Sequence, residues 1–208
     1  MTAASVDRGG LFIKICGMTT PVAVGAALSC EVDAIGFVFA QSVRQVTTRR
    51  ANELAASARH KAACVAVTRH PTRAQVEEIL RDFKPDILQT DIEDIEKLEL
   101  PKTLSVLPVV RPGPQGACEL PARILFEGPV SGSGQTTDWD TAGELALRAQ
   151  VILAGGLNPV NVGIAVRRVR PFGVDVSSGV EEQPGIKSSE KIEKFVAAAR
   201  LAALELKA

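Results

Sequence analysis

A lysine and a cysteine alternate at the end of the first β-type run of the chain, Phe12-Ile13-Lys14-Ile15-Cys16-Gly17. Successive side chains of a strand point to opposite faces. The two isoleucines of the run therefore share one face, and Lys14 and Cys16 share the other. A buried ammonium group requires an anionic partner, and it would lower the pKa of a neighbouring thiol. Cys16 is thus a candidate reactive thiol, and a small buried hydrophobic side chain is the equal alternative.

Two carboxylates also stand at the ends of β-type runs. Glu127 follows the run Arg123–Phe126 and precedes a loop rich in Gly and Ser, and Asp175 lies between two valines. A partly buried carboxyl group has a raised pKa and can hold a proton at neutral pH, which makes Glu127 a candidate acid. A solvated loop carboxylate is the alternative. Asp175 is predicted to point inward, where it either binds substrate hydroxyls or pairs with Lys14.

Glycine and serine clusters follow three neighbouring runs and predict a phosphate site. They are Gly132 and Gly134 after the sixth run, Gly155 and Gly156 after the seventh, and Ser177, Ser178 and Gly179 after the eighth. Backbone N–H groups of such loops, and helix N-termini, bind anions. After the second run, Arg44 is a candidate clamp for a second anion such as a carboxylate, although a surface arginine is the commoner case.

The candidates need strands that end on one face of a sheet. We predict strands at Leu11–Ile15, Ala34–Phe39, Ala63–Val67, Asp86–Gln89, Leu104–Val110, Arg123–Phe126, Gln150–Leu153 and Gly173–Val176. Helical patterns separate most of them, at Pro21–Ser29, Arg49–Lys61, Arg73–Asp82, Thr141–Arg148, Val160–Arg167 and Ser189–Leu206. The helical pattern is weak after the fourth strand, where Asp91–Leu98 is the one candidate, and after the fifth strand.

Alternating strands and helices predict parallel βαβ units. Eight units favour a closed (β/α)8 barrel, one domain over residues 1–208, with residues 1–10 as a flexible extension. The competing open, doubly wound sheet predicts a GxGxxG turn after an early strand. The early turns Gly17-Met18-Thr19 and Ala40-Gln41-Ser42 do not match that pattern.

The composition excludes several classes of partner. Lys and Arg number 24, as do Asp and Glu, so no basic field attracts nucleic acid or an anionic membrane. The cysteines form no CxxC pair and the two histidines are not spaced for zinc, so we expect reduced thiols, a cytoplasmic location and no metal. The N-terminus lacks a signal-like apolar stretch, and no run is apolar enough to span a membrane. A monomer and a homodimer are equally compatible with the sequence.

Taken in order, these segments resemble the phosphoribosylanthranilate isomerase family of tryptophan biosynthesis over nearly the whole chain. The segments are Lys14-Ile15-Cys16-Gly17-Met18-Thr19, Gly36-Phe37-Val38-Phe39, Ser42-Val43-Arg44, Thr137-Asp138-Trp139, Leu153-Ala154-Gly155-Gly156-Leu157-Asn158-Pro159 and Val174-Asp175-Val176-Ser177-Ser178-Gly179-Val180-Glu181. The first and the last are the most specific.

The resemblance implies an Amadori rearrangement of a phosphosugar, an aminoaldose becoming an aminoketose, without a cofactor. It implies that Cys16 is the general base and that Glu127 occupies the position of the general acid. It also associates Arg44 with the anthranilate carboxylate and Asp175 with polar atoms of the substrate.

Three departures from the family pattern stand out. Glu127 replaces the usual Asp, Gln89-Thr90-Asp91 replaces Gln-Leu-His-Gly, and Ser131-Gly132-Ser133-Gly134 replaces Gly-Gly-Thr-Gly. The extra methylene of Glu127 moves the carboxyl group by on the order of 1 Å, which can affect the rate.

Two other functions are compatible with the same residues. One is a Schiff-base aldolase or lyase with Lys14 as the nucleophile. The other is a non-catalytic phosphosugar-binding barrel, which needs the Gly/Ser loops but neither Cys16 nor Glu127.

Overall fold

The computed structural model describes residues 10–112, 120–128 and 137–207. Eight parallel strands form a closed barrel in the order of the chain. They are β1 (Phe12–Cys16), β2 (Ala34–Val38), β3 (Ala63–Val67), β4 (Ile87–Asp91), β5 (Ser105–Val110), β6 (Arg123–Phe126), β7 (Gln150–Leu153) and β8 (Gly173–Val176). The predicted (β/α)8 barrel is therefore confirmed. Of the predicted N-terminal extension, residues 1–9 lie outside the described residues.

Helices follow most of the strands. They are α1 (Pro21–Ser29), α2 (Thr48–Ala55), α3 (Arg73–Glu78), which continues as a π-helical turn (Ile79–Phe83), α4 (Ile92–Ile95), α5 (Trp139–Ala146), α6 (Val162–Val169) and α7 (Ser189–Glu205). After β8 come a 3-10 turn (Ser178–Val180) and a two-stranded hairpin of β9 (Glu181–Gln183) and β10 (Ile186–Lys187). The sequence did not predict this hairpin. None of the described helices could cross a membrane.

Most helix ends have a local cause in the sequence. The Thr20 hydroxyl accepts from the Ala23 N–H and Pro21 occupies the first turn of α1. Helix α2 ends at Ala55, earlier than predicted. Beyond it the chain forms turns, in which the Ala58 and Arg59 N–H groups both donate to the Ala55 carbonyl.

The strands separate two apolar layers. Alternate strand residues point outward and pack under the helices, among them Ile13 and Ile15. The inner layer fills the barrel with side chains from several strands: Phe12, Ala34, Val65, Leu107, Val109, Leu125, Ile152 and Ala154. The face predicted for Lys14 and Cys16 is confirmed, since both lie on the inner side of β1. Catalytic groups of such barrels lie at the C-terminal ends of the strands, where Cys16 ends β1.

The seam between β1 and β8 closes the barrel and requires Gly173. A Cβ atom added there would lie 2.6 Å from the Phe12 carbonyl oxygen and 2.8 Å from the Phe12 Cβ. Gly143 in α5 has open space around it.

We expect Gly173→Ala to lower the free energy of unfolding by about 1–3 kcal/mol through overpacking at the seam. Gly143→Ala is the matched control and should raise it by up to about 1 kcal/mol, since Ala favours a helix. Urea unfolding measures both. A Gly173→Ala variant as stable as the wild type would contradict this account of the seam.

Candidate active site

A buried ion pair lies inside the barrel at the seam. Lys14 Nζ donates to Asp175 Oδ1 over 2.9 Å, and the two residues are direct partners in the register of β1 and β8. Of the two roles predicted for Asp175, the structure thus shows the pairing with Lys14. Burial would lower the pKa of Lys14, but its interactions with Asp175, and further ones with Cys16, outweigh that effect and raise the pKa. Lys14 therefore keeps its proton.

The Cys16 thiol lies beside this pair and is almost covered, the residue being 7% exposed. Gly36 on β2 leaves room for it, since a Cβ atom at Gly36 would lie 2.8 Å from Cys16 Sγ. Burial raises the pKa of Cys16, and the charge of Lys14 lowers it only in part. The net direction is opposite to the predicted one, because the sequence showed the ammonium group but not the depth of burial.

Arg44 lies at the predicted place but is engaged by a carboxylate of the protein itself. Its Nε and one terminal nitrogen donate to the two carboxylate oxygens of Glu181 over 2.7 and 2.8 Å. Its aliphatic part packs on Gly17, where an added Cβ would lie 2.7 Å from Arg44 Cδ. Arg44 thus borders the thiol site, and the bidentate ion pair fixes its guanidinium group.

The sequence analysis missed Lys187, which completes this group. Its Nζ donates to Glu181 Oε1 over 2.8 Å, to the Ser177 carbonyl over 3.0 Å and to Ser177 Oγ over 3.2 Å. Lys187 belongs to a polar stretch of the sequence that predicts an exposed turn, but it lies in β10 and is buried, with contacts to Glu181 and Ser177. Glu181 was noted as part of a family segment, but no role was assigned to it.

Glu127 follows β6, where the sequence placed it, and is half-buried. Arg111 lies between Glu127 and Asp91, at 3.5 Å from Glu127 Oε2 and in an ion pair with Asp91. Asp91 stands where the family pattern has a His. Two of the three departures from the family pattern are therefore joined through one guanidinium group.

The loops after β6, β7 and β8 lie against one another. An added Cβ at Gly155, whose φ is +89°, would lie 3.1 Å from the Gly128 nitrogen. One at Gly179 would lie 3.0 Å from the Asn158 Cα. Gly155, Gly156, Ser177, Ser178 and Gly179 thus follow two adjacent strands at one side of the barrel mouth. Their role in phosphate binding stays a prediction. Gly132 and Gly134 lie outside the described residues.

One cluster in the described part of the chain has the residue types of a metal site, namely His70, Asp91 and Asp94. Its groups already have partners. His70 Nδ1 lies 3.0 Å from Asp94 Oδ1, and Arg111 and Arg69 both pair with Asp91. We interpret the cluster as a hydrogen-bonded ion-pair group, since two guanidinium groups disfavour a cation there.

Comparison with known proteins identifies the family of this chain. A family model described as N-(5'phosphoribosyl)anthranilate (PRA) isomerase matches residues 13–198. The chain belongs to this family. Curated isomerases of that name include one from Bradyrhizobium sp. (strain BTAi1), 38% identical over 92% of this chain and 96% of its own length. Another, from Streptococcus mutans, is 36% identical over 88% of this chain and 96% of its own length.

Solved structures of phosphoribosylanthranilate isomerases share the fold. The enzyme from Thermus thermophilus superposes with a TM-score of 0.79 at 29% identity, covering 93% of this chain and 100% of its own. A second structure, with a TM-score of 0.75 at 26% identity, covers 91% of this chain and 98% of its own. It holds reduced 1-(o-carboxyphenylamino)-1-deoxyribulose 5-phosphate.

In this member of the isomerase family, the ion pairs of Glu181 make the free energy of unfolding depend on pH in the acid range. Burial would raise the pKa of Glu181, but hydrogen bonds from Arg44 and Lys187 lower it from 4.5 to about 2. A carboxyl group whose pKa is lower in the folded state than in the unfolded state stabilises the fold at pH values above its unfolded-state pKa. This stabilisation is lost as the pH falls toward the folded-state pKa.

We therefore expect wild type to be more stable than Glu181→Gln by a constant margin above pH 4.5, and the margin to shrink between pH 4.5 and about 2. Urea unfolding over this pH range measures the margin. Glu182→Gln, at an exposed neighbouring position, is the control. A margin that does not change with pH would show that Glu181 is not held ionised by its partners.

Proposed function

We propose that this chain carries out the reaction of its family, the isomerisation of N-(5′-phosphoribosyl)anthranilate in tryptophan biosynthesis, with Cys16 as general base and Glu127 as general acid. The observation that carries the assignment is the buried Cys16 thiol at the end of β1, beside the protonated Lys14 and its partner Asp175. A base at this place faces the mouth of the barrel, where barrel enzymes act on their substrates.

The reaction needs one acid and one base. Glu127 delivers a proton to the ring oxygen of the ribose, the ring opens, and the nitrogen becomes an iminium group. Cys16 then removes the proton from C2′. The electrons of the C2′–H bond form the C1′=C2′ bond, and the π electrons of the C1′=N bond return to nitrogen as a lone pair, which removes its charge. The resulting enol becomes the ketone when C1′ gains a proton and the 2′-hydroxyl loses one. The step requires no external oxidant or reductant.

The raised pKa of the free Cys16 thiol is compatible with this role. A positive charge close to a thiol favours its ionised form. The iminium group forms next to C2′, so the charge arrives at the stage when the thiolate is needed. Lys14 supplies a second positive charge within the barrel, and it remains protonated because of Asp175.

The order of strands supports the placement of the substrate. Two strands, β7 and β8, separate β6 with Glu127 from β1 with Cys16. The Gly and Ser loops of β7 and β8 lie between the acid and the base, so a phosphate bound there holds the sugar between them. The ligand of the related structure, an anthranilate-substituted ribulose phosphate, carries the phosphate and the carboxylate that such loops and Arg44 would bind.

The Schiff-base alternative is disfavoured by the state of Lys14. A nucleophilic amine must be unprotonated. The Lys14 amine is fully buried, its pKa is raised, and it donates to Asp175 over 2.9 Å. Borohydride reduction in the presence of the substrate tests the point, since only a Schiff base would leave a covalent adduct on Lys14.

We expect Cys16→Ser and Glu127→Gln each to lower kcat by about 10²-fold or more, in line with acid–base roles worth about 10²–10⁴-fold. The fluorescence of phosphoribosylanthranilate, followed as the purified protein consumes it, gives the rate. Cys30→Ser and Glu182→Gln are the matched controls and should retain wild-type turnover. Near-normal turnover in a site variant would remove that residue from the mechanism, and a wild type without turnover would leave the phosphosugar-binding alternative.

We also propose that the whole chain is one barrel domain and that it works in the cytoplasm. Three thiols, Cys16, Cys30 and Cys64, are unpaired, as a reducing compartment predicts. Light scattering of the purified chain distinguishes the monomer from the homodimer.

A further inference from the structure

The β9–β10 hairpin lies over two loops of the active site. The Thr19 hydroxyl, from the loop after β1, donates to the Gly185 carbonyl over 2.6 Å. Gly185 has a φ of +86°, and an added Cβ would lie 2.9 Å from the Val43 carbonyl oxygen in the loop after β2. The hairpin therefore touches the neighbours of both Cys16 and Arg44.

Inside the hairpin, Lys187 and Glu181 form a buried pair whose side chains are 0% and 5% exposed. The lysine ammonium group has three oxygen partners, one from Glu181 and two from Ser177. An ammonium group offers three donors, so its capacity matches the partners present. The pair is thus built into the fold, since a buried charge persists only when it is paired and hydrogen-bonded.

Each end of the pair holds a group of the substrate site. Glu181 accepts both hydrogen bonds of the Arg44 fork, and Lys187 binds the carbonyl and the hydroxyl of Ser177. Arg44 Cδ and Ser177 Oγ lie close to the same point, 2.7 and 3.1 Å from an added Cβ on Gly17. The residue next to Cys16 is therefore enclosed by the two groups that the pair holds.

We propose that Lys187 is a positioning residue that, through Glu181 and Ser177, sets the two anion-binding ends of the substrate site relative to each other. The inference rests on the proposed function, which gives Arg44 the carboxylate and the Ser177 loop the phosphate of one substrate. The pair of Lys187 and Glu181 keeps the two anion-binding ends at the spacing that a single ligand requires. Lys187 itself does not touch the reacting atoms.

The electrostatics agree with this geometry. Burial lowers the pKa of Lys187, and the charge of Glu181 opposes that shift. Without Glu181 the ammonium group would be buried without its carboxylate, and without Lys187 the carboxylate would retain only Arg44. Removal of either partner should therefore disturb both ends of the site.

The test separates the two halves of the ligand. Anthranilate probes the carboxylate end and inorganic phosphate probes the phosphate end, and calorimetric titration gives a dissociation constant for each. We expect Lys187→Met to weaken both by about tenfold or more, since a hydrogen bond to a charged group contributes about 1.5–3 kcal/mol and 1.4 kcal/mol is tenfold. Arg44→Met should weaken anthranilate alone, and Lys194→Met, at an exposed site on α7, should weaken neither.

Steady-state kinetics give the second readout. Lys187→Met should raise KM for phosphoribosylanthranilate more than it lowers kcat, whereas Cys16→Ser lowers kcat. Lys187→Arg, which keeps the charge, should recover part of the phosphate affinity. If Lys187→Met does not fold, Glu181→Gln takes its place and should weaken the binding of both anthranilate and phosphate, because Glu181 holds both Arg44 and Lys187.

A folded Lys187→Met variant that binds both probes as the wild type does would overturn the proposal. A variant that loses affinity for only one of the two probes would overturn it as well. These outcomes do not depend on catalysis, because the probes are not turned over. A wild type that binds both probes but consumes no phosphoribosylanthranilate would instead contradict the proposed function.

Discussion

The ion pair between Lys14 and Asp175 joins the first strand of the barrel to the last, and the site is arranged around it. It crosses the β1–β8 seam in register, so the barrel must close for the pair to form. Loss of one partner of such a pair costs about 3–5 kcal/mol, because the other charge stays buried. The same closure brings Cys16 beside Lys14 and places the loop after β8 next to the loop after β1. Fold and chemistry thus depend on one contact.

Among the described residues, three groups of charged side chains lie at the strand ends around the site, two of them buried and one half-buried. Lys14 and Asp175 lie under the thiol, Arg44, Glu181 and Lys187 lie beside it, and Asp91, Arg111 and Glu127 lie at the opposite part of the mouth. Each group contains opposite charges in contact, as buried ions require. The pKa of the free Cys16 thiol remains raised in this arrangement, because the charge of Lys14 only partly offsets burial. In the proposed reaction, the positive charge of the iminium intermediate lowers this pKa further.

Strand parity, turn chemistry and order along the chain made much of this predictable. The alternation in β1 predicted the shared inward face of Lys14 and Cys16, and the helical pattern at Pro21–Ser29 predicted α1 with its observed bounds. Other features depend on distant contacts. Lys187 lies in a seven-residue hairpin, residues 181–187, that lacks an apolar alternation. Arg111 links Asp91 and Glu127, which are far apart in the chain. The pKa of Cys16 depends on depth of burial, which a neighbouring Lys in the sequence does not reveal.

The rate of alkylation of Cys16 by iodoacetamide, followed by peptide mass spectrometry against pH and against remaining turnover, tests the central claim most directly. The account predicts that the rate still climbs above pH 9.0, the ordinary thiol value. It also predicts that activity falls in proportion to modification, and that reduced 1-(o-carboxyphenylamino)-1-deoxyribulose 5-phosphate protects the thiol. Complete alkylation of Cys16 with turnover retained would contradict it.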